Sequence, residues 1–220
     1  KVQPIVENGL VWYWNFDDDL NGSANVVNAT IGGLHGTKGS GVSVVAGKFG
    51  NALSFDGSTD EASKVDFGTD SRGNFDGIFS LSFWVKPTSA GNVNLIDNKS
   101  ASTSPGFQIY LTTSSNRLYV RGTTTMRYLT INGTNWNLPN WVHLVNTFDD
   151  QSSNSAEKWK MYADGILIGQ NNIPQIEPGS ANLFFGRSPA GGKRFTGQMD
   201  DVRFFDRVLS ESEVSTLYGS

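Results

Sequence analysis

Two alternating stretches in the middle of the chain gather the side chains best suited to chemistry. In GFQIYLT (106–112), Phe107, Ile109 and Leu111 point one way and Gln108 and Tyr110 the other; in RLYVRG (117–122), Leu118 and Val120 oppose Tyr119 and Arg121. If these strands pair, Gln108, Tyr110, Tyr119 and Arg121 share one polar-aromatic face, and Arg127 joins them from the next strand. Such a face can stack on and hydrogen-bond a polysaccharide, with Arg121 pairing to an acidic sugar's carboxylate or a sulfate. It equally suits an ordinary solvated sheet face with cross-strand pairs.

Trp136 is a separate candidate. It sits in NGTNWNLPNW, an Asn- and Gly-rich loop with no strand pattern to force it inward, so its indole can offer a flat face to a sugar ring. The alternative is that it folds back over a sheet edge. Trp159, between Lys158 and Lys160, is a weaker candidate of the same kind, and Arg187, Lys193 and Arg194 form a local cluster of positive charge. Of the two histidines, His143 lies inside the apolar strand WVHLV as a packed residue and His35 has no acidic partner nearby, so no Ser-His-Asp arrangement can be built.

The elements that must position these residues are strands. Apolar alternation begins at Leu10, Trp12, Trp14 and Phe16 and ends at Asp17-Asp18-Asp19; residues 1–8 read as a linker or edge segment and 9–220 as one domain. Further strands are predicted at 42–46, 51–56, 62–67, 78–86, 93–97, 106–112, 117–121, 126–131, 141–149, 157–163, 166–170, 181–186 and 194–206, between Gly, Pro, Ser and Asn clusters. Asp164-Gly165 marks a type I′ hairpin turn. Ser210 and Glu213 have capping-box spacing, flanked by the staple pair Leu209 and Val214 and followed by Gly219, which predicts one short C-terminal helix.

Composition limits the partners. A net charge of −4, with no basic run, argues against nucleic acid and anionic membrane, and no apolar run reaches the roughly 18 residues needed to span a bilayer. The absence of cysteine removes disulfides and thiolate metal sites.

The closing segment GQMDDVRFFDRVLSESEVSTLYG (197–219), with GLVWYWNFDD (9–18) and GKFGNALSFDGS (47–58), resembles the laminin-G-like branch of the concanavalin A-like lectin/glucanase superfamily. FSLSFWVKP, GFQIYL, WVHLVNTFD, WKMYADGILIG and LFFGR are similar to its successive strands, in order. The resemblance implies an all-β concanavalin A-like jelly-roll sandwich of two antiparallel sheets with a short C-terminal helix. It also implies Trp14, Trp84 and Trp141 as core residues, joined by Trp12 on the face of Trp14.

It further implies a structural Ca²⁺ held by Asp17 and Asp200, from the first and last strands, with a backbone carbonyl of GKFGN (47–51). Asp18, Asp56 and Asp201 are substitutes if the register slips; the alternative is that these acids cap turns and pair with Arg203 or Arg207. Hydrolases of this superfamily carry Glu-x-Asp-x-x-Glu or Glu-x-Asp-x-Glu on a central strand, and neither occurs here. The expected function is a non-catalytic carbohydrate-binding module of a larger secreted or surface-attached bacterial protein, with a polysaccharide or glycan, acidic if Arg121 pairs with it, as partner. The alternatives are a polysaccharide lyase, with Tyr110 or Tyr119 as base, and a protein-binding or adhesive spacer.

Overall fold

The computed structural model describes residues 6–17, 26–27, 29–73, 75, 77–89, 91–123, 125–131, 140–172, 176–188 and 191–219. In chain order the strands are β1 (Leu10–Trp14), β2 (Val26–Val27), β3 (Gly36–Lys38), β4 (Val42–Ala46), β5 (Asn51–Asp56), β6 (Val65–Asp66), β7 (Ile78–Pro87) and β8 (Asn92–Asp97). They continue as β9 (Gln108–Thr112), β10 (Arg117–Arg121), β11 (Met126–Thr130), β12 (Val142–Asp149), β13 (Trp159–Ala163), β14 (Ile166–Asn171), β15 (Phe184–Phe185) and β16 (Thr196–Phe205), before helix α1 (Glu211–Tyr218). The predicted 62–67 and 181–186 shrink to β6 and β15, and the two-residue β2 and three-residue β3 were too short to leave a periodic signal.

Two eight-stranded antiparallel sheets result. The first runs β14-β13-β12-β7-β16-β5-β4, with β1 also on β16; the second runs β11-β10-β9-β8-β15-β6-β3-β2. Between them lies one continuous core in which Trp12, Trp14, Phe79, Phe107, Phe148 and Phe204 are essentially fully buried. Removing each such side chain from water contributes about 1.5–3 kcal/mol, which is why alternation rather than local propensity fixes the strand faces.

The outer side of the first sheet is closed by a smaller cluster. Val145, Tyr162 and Phe205 on the sheet pack against Leu209, Val214 and Leu217 of the helical segment, joined by Val6 and Leu10. Residues 6–8 are thereby tied to the domain, and Arg207 Nε donates to the Asn8 carbonyl. The predicted capping box is present in full, with Ser210 Oγ accepting from the Glu213 N–H and Glu213 accepting from the Ser210 N–H. At the predicted hairpin, Asp164 (φ 50°) and Gly165 (φ 79°) both have the positive φ a type I′ turn needs.

Trp159, Trp84 and Trp141 occupy three different environments. Trp159 is fully buried, with Nε1 donating to Asn146 Oδ1 at 3.0 Å, because its register partner Phe148 places it on the core side. Trp84 is buried on the opposite side of its sheet from the main core, beside His143, Tyr218 and Phe49. Trp141 is only partly buried, preceding β12, with the Lys86 ammonium 6.0 Å from its ring. His143 is packed as expected, fully buried with Nε2 2.8 Å from Ser82 Oγ.

Candidate functional site

On the second sheet, β9 pairs with β10 in the register the sequence suggests: Tyr110 lies opposite Tyr119 and Gln108 opposite Arg121. Their alternation partners Ile109, Leu111, Leu118 and Val120 are in the core, so these four face outward. Pairing extends the face into two rows. Asp97, Gln108, Arg121 and Met126 form one; Asn94, Tyr110, Tyr119 and Tyr128 form the other.

Arg127 does not join them. It lies opposite Val120, on the other face of the sheet, because the β10–β11 hairpin pairs Arg121 with Met126. Met126 and Tyr128 take the outward positions instead, and both are exposed. Trp136 lies outside the described residues.

The tyrosine row presents edges rather than faces. Tyr110 and Tyr119 stack on each other, centroids 4.6 Å apart and planes 5° from parallel, while Tyr119 meets Tyr128 at 5.3 Å and 47°. The Lys193 ammonium stands 4.0 Å from the Tyr110 centroid, and the Arg117 guanidinium 4.2 Å from that of Tyr128. Tyr110 is only 4% exposed and its hydroxyl donates to Met126 Sδ. Burial raises its pKa above the ordinary phenol value, against the lowering effect of Arg121. Stacking of a sugar ring on Tyr110, one of the expectations for this face, is therefore blocked by its own neighbours.

Hydrogen bonding and charge remain available. Lys99, Gln108, Arg121, Ser188 and Lys193 line a pocket of about 170 Å³ beside the Tyr110 row. Asp97 lies beneath, accepting from the Lys99 N–H through Oδ1 and from Asn94 and Gln108 through Oδ2. Its burial pushes the carboxyl up to about 6 despite these bonds. Lys193 comes from the GGKR loop, one of three consecutive residues with positive φ, and that loop is anchored where Asp60 accepts from the Gly192 N–H and from Arg194. Alternation could not reveal Lys99, which enters from a loop; of the positive cluster expected around SPAGGKR, Lys193 lines the pocket while Arg187 and Arg194 pair with Glu61 and Asp60.

The acidic pair meets on one loop. Asp200 Oδ2 accepts from the Lys48 and Phe49 N–H groups at 2.9 and 3.0 Å, and Asp17 Oδ1 from the Asn51 N–H at 2.8 Å. Gly47 and Gly50 permit this approach, since a Cβ at either would collide with the Asp200 or Asp17 carboxylate. A bulge in β16 follows Asp200, with Asp201 at φ 54°, and turns Asp201 to Tyr13 Oη and Arg203. Asp200 Oδ1 is buried without a partner, and burial pushes this carboxyl up to about 8, with the Asp201 charge adding to the rise. A buried carboxylate oxygen left unbonded, beside a second carboxylate and a carbonyl-bearing loop, is a donor set that suits a hard cation. Among the described residues no cluster of three or more His, Cys, Asp or Glu accompanies it.

A two-layer sandwich with one side closed by a helix and a polar pocket on the other has the layout of a lectin-like domain. A laminin-G model described as concanavalin A-like lectin/glucanases superfamily matches residues 56–215, and the chain belongs to this family. Among solved structures, the binding domain of Paraclostridial Mosquitocidal Protein 1 superposes with a TM-score of 0.73 at 18% identity, covering 96% of this chain and 52% of that one. Domain 4 of AbnA, a GH43 extracellular arabinanase from Geobacillus stearothermophilus solved with arabinotriose, gives 0.69 at 18% identity and covers 95% of this chain and 98% of that one. The receptor binding domain of botulinum neurotoxin type G gives 0.70 at 15%, over 96% and 51%. The chain thus spans about half the length of the toxin domains it matches and nearly all of the arabinanase domain. No helix among the described residues is long and apolar enough to cross a membrane.

Proposed function

We propose that this chain is a non-catalytic carbohydrate-binding module of a larger secreted or surface-attached protein, and that it engages a polysaccharide through the outer face of β8–β11. The observation that carries this reading is the pocket lined by Gln108, Arg121, Ser188 and Lys193 on a face whose expected residues converge. Fixed hydrogen-bonding groups beside a rigid sheet are what orienting a polyhydroxylated ligand requires. The arabinanase domain with arabinotriose, and a similarly folded structure of botulinum neurotoxin type C, whose cell entry is described as dependent upon interaction with two ganglioside molecules, support this reading. Arg127 has no part in this reading.

Of the two candidate lyase bases, Tyr110 is poorly suited to the role. A Tyr general base must be reachable and easily ionised, whereas the Tyr110 hydroxyl is held by Met126 and burial makes its ionisation harder. A structural Ca²⁺ held by Asp17 and Asp200 with carbonyls of 47–51 belongs to the same proposal; it would lock the first and last strands to that loop and neutralise the Asp200 charge. The spacer reading draws on exposed Met126 and Tyr128 beside Arg117, residue types enriched at protein interfaces. Affinity electrophoresis through gels containing arabinan, dextran, polygalacturonate or a sulfated galactan tests the assignment. Retardation by a glycan supports it, and unretarded migration in all four gels overturns it.

A further inference from the structure

The chain carries net negative charge, and most of its arginines are matched to carboxylates: Arg72 to Asp70, Arg187 to Glu61, Arg194 to Asp60, Arg203 to Asp201 and Arg207 to Glu213. The pocket beside Tyr110 breaks this pattern. Lys99, Arg121 and Lys193 all line it, and none of the three is in an ion pair among the described residues.

Each is held in place by something other than a carboxylate. The Lys99 ammonium, on a residue 2% exposed, donates to the Ser104 and Gly122 carbonyls. The Arg121 Nε is buried without a partner, Nη2 meets the weak acceptor Met126 Sδ at 3.5 Å, and the guanidinium also interacts with the Tyr110 hydroxyl. Lys193 stands over Tyr110 from a left-handed backbone (φ 49°) whose carbonyl accepts from the Asn94 N–H. Burial holds both lysines below the ordinary lysine value, the Arg121 charge lowering them further and the Asp97 charge, joined at Lys99 by Glu177, acting the other way. Asp97 bonds the Lys99 N–H, Asn94, Gln108 and Ser188 rather than either ammonium, and acts on the two lysines through its charge alone.

We propose that this pocket receives an oxyanion substituent, a sulfate ester or a uronate carboxylate, borne by an anionic polysaccharide that lies across the outer face of β9–β11. This rests on the carbohydrate-binding reading and names its ligand class. Three cations outside any ion pair line one cavity with the single buried Asp97 carboxylate beneath them, an excess of positive charge that suits an anion, and a guanidinium fork suits planar or tetrahedral oxyanions. The cavity, about 170 Å³, is smaller than the roughly 300–1,000 Å³ of sites that enclose a whole small molecule. It fits a charged substituent, with the sugar backbone running outside it along the tyrosine edges.

The test is affinity electrophoresis and calorimetry with a sulfated galactan oligosaccharide, an oligogalacturonate and neutral arabinan oligosaccharides. It uses the wild-type chain, Arg121→Gln, Lys193→Gly, and Lys86→Gln as an equal charge change on the other sheet. Tighter binding of one or both anionic ligands, weakened at least tenfold by Arg121→Gln and by Lys193→Gly but not by Lys86→Gln, is expected. Which of the two anionic ligands responds separates sulfate from carboxylate. Inorganic sulfate as competitor should displace the anionic ligand.

If neutral and anionic glycans bind equally, or Arg121→Gln changes neither, the oxyanion pocket is wrong while the carbohydrate-binding reading stands. If no glycan binds, both fall. Circular dichroism and melting of each variant ensure that lost binding is read only on folded protein.

Discussion

The Lys193 ammonium and the Tyr110 ring meet at 4.0 Å, although the two residues come from a glycine-rich loop and a central strand. The contact covers the ring face that alternation alone would offer to a ligand, and it brings a cation to the pocket edge. Replacing Lys193 by Gly removes a cation–π contact of about 0.5–1 kcal/mol and adds unfolded-state freedom of about 0.4–1 kcal/mol. It also relieves a left-handed backbone that costs a non-glycine residue about 1–2 kcal/mol. The expected outcome is a stability change within about 1 kcal/mol by denaturant melting, so a loss of binding in this variant reports on the site rather than on the fold.

Calcium should act through Asp200. In chelator the buried Asp200 oxygen has no partner, so Asp200→Asn is expected to melt at or above the wild-type temperature. With added Ca²⁺ the order should reverse, the wild type gaining about 2.7 kcal/mol at a concentration a hundredfold above Kd and the variant gaining little. A wild-type midpoint indifferent to both chelator and Ca²⁺ would sink the metal proposal.

Trp159 tests the boundary between core and site. Trp159→Phe keeps most of the apolar volume but leaves Asn146 Oδ1 without its donor, a loss of about 1–3 kcal/mol. Glycan retardation should be unchanged, because the indole is sealed in the core.

The helix cap gives a pH signature. The Arg207 guanidinium, bonded to Glu213 and supported by Ser210, holds the Glu213 carboxyl down at about 2. The ion pair and cap therefore contribute fully above the ordinary glutamate value near 4.5 and lose their contribution as pH falls through 2. The acid limb of the melting curve should flatten in Glu213→Gln. Ser210→Ala should cost about 1 kcal/mol at neutral pH.

Features written in adjacent residues were legible in the sequence. The Asp164-Gly165 turn and the Ser210–Glu213 box depend only on neighbours a few residues apart, and both stand as expected. The shared face of Gln108, Tyr110, Tyr119 and Arg121 was legible too, since two alternating strands joined by a short turn leave little choice of register. Arg127 was not, because its face depends on where the next hairpin closes: pairing Arg121 with Met126 turns Arg127 toward Val120. Trp159, the weaker ligand candidate, is core: its flanking lysines look like solvent exposure, yet in a strand they occupy the opposite face. Lys99 and Lys193 reach the pocket from loops, whose course no periodicity encodes.

The helical segment over Val145, Tyr162 and Phe205 has a consequence for how the body meets its target. With that flank sealed and the proposed receptive rows on the other, the molecule has a front and a back, and any ligand held by those rows approaches from the front. Neighbours crowding the back would leave that encounter untouched.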